Sequence, residues 1–172
     1  MNKKILGITV TLLLAAMFLA PVMATPATRI DVTATVLPTT TEGVLRAVDH
    51  GILQIRGGIM TGAVTLGIPG QAPLVGTYYG ELNGWIKLDH PAPGPWLEAE
   101  NLFSGKVELS FSGGTFAGIR HFKMIGFPTP FISYVDTQMV LHGTGDFKGQ
   151  TLKLSYEGAL PPVFEGCLII PK

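Results

Sequence analysis

The sequence predicts an all-β fold, a single antiparallel β-barrel of eight or nine strands, on three observations. Hydropathy alternates with period two along most of the chain, as strands with one wet face require. Glycine and proline are abundant, 22 and 13 of 172 residues, and they interrupt the alternating stretches at short intervals. Beyond the first two dozen residues no helical stripe of useful length occurs; the best helix candidate, Glu42–Val48, is short and carries Gly43 near its start.

In chain order, residues 1–24 stand apart. Lys3 and Lys4 precede an uncharged run from Ile5 to Ala20. Pro21 ends that run, and Val22-Met23-Ala24 offers small residues for a signal peptidase. This reads as an N-terminal hydrophobic signal helix. The alternative is an uncleaved anchor, because the run approaches the roughly 20 residues that span a bilayer. The expected domains are therefore a signal segment, 1–24, and a barrel domain, 25–172. The expected location is secreted or in the cell envelope, with the membrane touched only through residues 1–24 if they are retained.

The clearest strands are Arg29–Val36, Lys106–Phe111 and Thr151–Glu157. In the first, Ile30, Val32, Ala34 and Val36 alternate with Arg29, Asp31, Thr33 and Thr35. Along Tyr78–Lys87 the small and apolar parity (Tyr78, Gly80, Leu82, Gly84, Ile86) faces the core, leaving Tyr79, Glu81, Asn83 and Trp85 outside. Turns are expected at Pro38–Gly43, Asp49–Gly51, Gly57-Gly58, Pro69-Gly70, Asp89–Pro95, Gly113-Gly114, Pro128–Pro130, Gly145–Gly149 and Pro161-Pro162. Even strands joined by tight turns close into a barrel, which removes exposed edges; a β-sandwich is the alternative. Gly114-Thr115-Phe116-Ala117-Gly118 and Gly145-Asp146-Phe147-Lys148-Gly149 form a weak internal repeat, read as hairpin corners whose Phe plugs the end of the core.

The segment from His142 through Gly149, with its Gly-x-Gly-x-Phe-x-Gly pattern and following alternating strand, resembles allene oxide cyclase-like and dirigent-like β-barrels, mainly over residues 104–170. That resemblance implies an eight-stranded antiparallel barrel with an apolar lumen, in families that are often homo-oligomers. It brings no catalytic residue across, since no matching constellation is found.

Composition excludes several classes. Twelve Lys+Arg against twelve Asp+Glu leave no basic nucleic-acid surface. The single Cys167 forbids an intrachain disulfide, and its apolar strand, Phe164–Ile170, gives it a packing role. His50, His90, His121 and His142 form no metal-ligand spacing, so no metal or cofactor is expected. There is no nucleophile elbow and no phosphate-binding loop.

The chemistry is expected in the lumen, with candidates Tyr78, Phe111, Arg120, His121, Phe122, Tyr134 and Tyr156. In Ile119–Ile125 neither parity is cleanly apolar, so in a closed barrel Arg120 or His121 must face inward, with Asp136 or Glu108 as the expected partner of the buried charge; the alternative is an edge strand with both faces partly wet. Pro91–Trp96 and Pro128–Phe131 read as stiff loops, either lids or plain connections. Three functions follow: a module binding a small apolar ligand in the lumen, a cyclase or isomerase acting on an apolar substrate there, or a structural or protein-binding surface domain.

Overall fold

The alternation becomes eight antiparallel strands in the computed structural model, which describes residues 26–49, 52–87, 100–125, 134–158 and 163–172. They are β1 (Thr28–Asp49), β2 (Ile52–Gly67), β3 (Leu74–Lys87), β4 (Glu100–Phe111), β5 (Gly114–Ile125), β6 (Tyr134–Gly143), β7 (Thr151–Gly158) and β8 (Val163–Ile170). Each strand pairs with its neighbour in sequence, and β8 returns to β1 through a register running from Thr28↔Ile170 to Thr35↔Val163. The result is a closed up-and-down barrel, not a sandwich. The signal segment, the Asp89–Pro95 and Pro161-Pro162 turns, and the loops Pro91–Trp96 and Pro128–Phe131 lie outside the described residues.

Three segments expected to interrupt the strands are continuous strand. Pro38–Gly43 and the expected helix Glu42–Val48 both belong to β1, and Gly57-Gly58 belongs to β2. The pairing absorbs them as register shifts at Pro38/Thr40, Glu42/Val44 and Ile55/Gly58, which bend a strand without ending it. Pro69-Gly70 and Gly113 do form turns.

The two glycine-phenylalanine repeats meet each other. The second copy forms the corner between β6 and β7 around a 3-10 turn, Gly145–Phe147, while the first opens β5. The Asp146 amide donates to the Gly113 carbonyl at 2.9 Å, and the Thr144 amide donates to the Thr115 carbonyl at 2.8 Å. Gly145 adopts φ +60°, and a side chain there would also collide with the Gly113 carbonyl. Phe116 and Phe147 stack at 4.7 Å with Phe111 edge-on to both, so this end of the lumen is plugged by rings.

Above the plug, inward residues form one apolar core that includes Val32, Val64, Leu66, Val107, Leu109, Leu141, Leu152 and Leu168. Cys167 is buried but lies in register with the exposed Lys153 and Asp31, on the outer side of the wall. Phe116 is fully buried at the centre of the plug. Replacing it by Ala should therefore lower the unfolding free energy by about 3–5 kcal/mol, read as a fall in denaturant midpoint with unchanged slope.

Candidate functional site

The lumen candidates separate cleanly by parity. Tyr78, Phe111, Arg120, Phe122 and Tyr156 are buried. His121 is exposed, and its register partners Ser104 and Gln138 are exposed with it, so it belongs to the outer wall and not to the lumen. Tyr134 opens β6, but its side chain lies outside the described residues. Phe111 belongs to the plugged end, which leaves the other residues to form a site in the opposite half of the barrel.

At its centre is Arg120, only 7% exposed. Its β5 register, opposite Gly105 on β4 and Met139 on β6, turns it into the lumen. Neither expected carboxylate partners it. Glu108 accepts from the Ser110 hydroxyl on the outer face, and Asp136 lies in register with Lys123. Instead Arg120 Nη1 donates to the Tyr78 hydroxyl at 2.6 Å, and Nη2 approaches Met60 Sδ at 3.8 Å. The guanidinium carbon also stands 4.5 Å from the Phe122 ring centroid, a cation–π distance. Nε is buried and makes no hydrogen bond. Among the described residues, no ion pair reaches this cation.

Tyr78 reaches Arg120 over β4, the single strand between β3 and β5. Its ring lies along its own strand over Gly80, where any Cβ would strike the hydroxyl. A similar allowance covers the site: the Phe103 ring occupies the space above Gly84 and stacks on Phe122 at 4.8 Å. Tyr156 packs against Phe164 at 5.6 Å. The result is a guanidinium and a phenol beneath an aromatic layer, with the buried Thr137 in register between Phe122 and Tyr156.

Met60, Phe103 and Thr137 were not among the candidates read from the sequence. The parity of Thr137-Gln138-Met139-Val140-Leu141 marks Thr137 as inward. Met60 was hidden by the apparent turn at Gly57-Gly58.

Burial pushes the Arg120 guanidinium down from its usual range, an effect the nearby Tyr78 hydroxyl only partly offsets. Burial likewise pushes the Tyr78 phenol up, against the opposing influence of Arg120. Arginine remains cationic even so, and among the described residues no anion stands beside this desolvated charge.

Two cavities lie against the wall. One, of about 830 Å³, is lined by outward residues including Trp85, Leu102, His121 and Asp136, and it also touches Phe103 and Phe122, the pair covering Arg120. The other, of about 770 Å³, adjoins β1, β8 and the Pro69 turn. Among the described residues no three His, Cys, Asp or Glu side chains gather to hold a metal ion. Comparison with models of known families, with curated proteins and with solved structures finds no match.

Two outcomes follow from the buried cation. Arg120→Met keeps the length of the side chain and removes the charge, so the ligand-free protein should gain about 1–3 kcal/mol in urea unfolding, even though Tyr78 loses a partner. A fall in midpoint would make Arg120 a structural residue. Tyr78 favours its neutral form in the fold, so its contribution to stability is complete below pH 10 and lost as pH rises through its higher folded value. Ultraviolet titration should show a late tyrosine step, and Tyr78→Phe should remove it.

Proposed function

We propose that this protein binds a small, largely apolar molecule in the half of the lumen opposite the phenylalanine plug, with Arg120 as the polar anchor. The observation that carries this reading is the buried, unpartnered Nε of Arg120 within an apolar barrel. A solid scaffold gains nothing from a desolvated cation at that position, whereas an apolar site uses a few placed polar groups to orient its ligand. Eight strands enclose an interior that is either filled by side chains or able to hold one small ligand.

The resemblance noted in the sequence would add a cyclase or isomerase activity in the same lumen, with Tyr78 and Arg120 as its polar pair. The protein-binding alternative has its own support in Trp85 and Leu102, register neighbours that are 49% and 66% exposed on the outer wall.

Native mass spectrometry of the full chain, purified gently from the cells that express it, tests the lumen reading. A reproducible adduct of roughly a few hundred daltons, lost on denaturation and absent from Arg120→Met, is expected. A bare chain that also takes up nothing from a lipid extract would overturn it and leave the Trp85 face as the better account.

A further inference from the structure

We propose that the molecule held in the lumen carries a carboxylate, and that this group pairs with the guanidinium of Arg120 and the hydroxyl of Tyr78 after displacing the thioether of Met60. The inference rests on the lumen-binding reading above and adds the chemical class of the ligand.

Three observations lead to it. The first is donor count. Arg120 has five N–H donors in a planar fork; one reaches Tyr78, Nε reaches nothing, and Nη2 faces only a sulfur. A thioether is a weak acceptor, so the Nη2 contact at 3.8 Å leaves that edge of the guanidinium open to a better one. Nε and an Nη together present the two parallel donors that a carboxylate accepts side by side.

The second is the state of Tyr78. Its oxygen already accepts from Arg120 Nη1 at 2.6 Å. Its own proton therefore points elsewhere and is free to donate to the same carboxylate. Because Gly80 lets the ring lie flat along β3, the hydroxyl is fixed beside the guanidinium.

The third is Met60. It is only partly buried, packs against the core and offers its sulfur to Nη2. Three rotatable bonds let methionine fill irregular space and leave it again. Its displacement would vacate a position beside Arg120 and beneath the stacked Phe103 and Phe122 rings, which suit the apolar remainder of the ligand.

Titration calorimetry on the full chain, using dodecanoate and its methyl ester as probes, separates head group from tail. Removing one partner of a buried charge pair typically costs a factor of roughly 30 or more. Dodecanoate should therefore bind at least that much more tightly than the ester, and Arg120→Met should abolish the difference. Tyr78→Phe, which keeps the arginine, should weaken dodecanoate alone by about 3- to 10-fold; it serves as the test if Arg120→Met does not fold. Equal binding of acid and ester by the wild-type chain would overturn the carboxylate inference and leave the lumen reading standing. Binding of neither would overturn both. A Tyr78→Phe loss shared equally by acid and ester would remove Tyr78 from the head-group site.

Discussion

Closure of β1 on β8 fixes the width of the lumen, and from that constraint the rest of the interior follows. An eight-stranded ring has room for side chains only if large residues are offset by small ones. The chain meets this with glycines under its rings. Tyr78 lies over Gly80, Phe103 over Gly84 and Phe111 over Gly76, each where a Cβ would collide. These glycines do more than permit turns: they decide which way the rings lean, and so where the Tyr78 hydroxyl ends.

The two halves of the barrel use this space differently. At the plugged end the polar groups are mainly backbone, paired with one another across the Gly113 and Thr144 corner, and the rings cover no charge. In the other half an aromatic layer of Phe103, Phe122, Tyr156 and Phe164 covers a guanidinium. A buried donor without a partner costs free energy, and among the described residues no side chain at the plugged end carries one. The asymmetry separates a part of the barrel built for stability from a part holding unmatched polarity.

Much of this was legible in the alternation of residues, because side-chain period fixes which face a residue takes once it is in a strand. The Ile119–Ile125 pattern also fits an edge strand with both faces partly wet; in a closed barrel it requires a charge to turn inward, and Arg120 does. Its partner was not legible from the strand pattern. Strand register suggests carboxylates on adjoining strands, but Tyr78 reaches over β4 from β3, a contact between second neighbours that depends on the curvature of the closed sheet. The Tyr78-Tyr79-Gly80 spacing was the available signal: an inward ring followed by an inward glycine has a path along its own strand. Strand length was misread for a related reason. Glycine and proline at 38–43 and 57–58 look like turns in one dimension, whereas in the barrel the two irregularities face each other, with Gly58 tight against Gly43.

Adjacent layers of the lumen show how unusual position 120 is. One layer reads Val107, Gly118, Leu141, Leu152 and Leu168 around β4 to β8, apolar throughout. The next reads Gly105, Arg120, Met139, Leu154 and Gly166. Both glycines sit tight against the backbone of a neighbouring strand, and a Leu or Met at 120 would fill much of the arginine's space without desolvating a charge. Nothing in barrel closure requires the cation, and its nearest partners are a neutral phenol, a sulfur and a ring face. Departures from local consistency concentrate at functional sites. Here the departure is a fork of donors aimed into an apolar interior, the arrangement in which a single anionic acceptor has the largest effect on free energy because water does not compete with it.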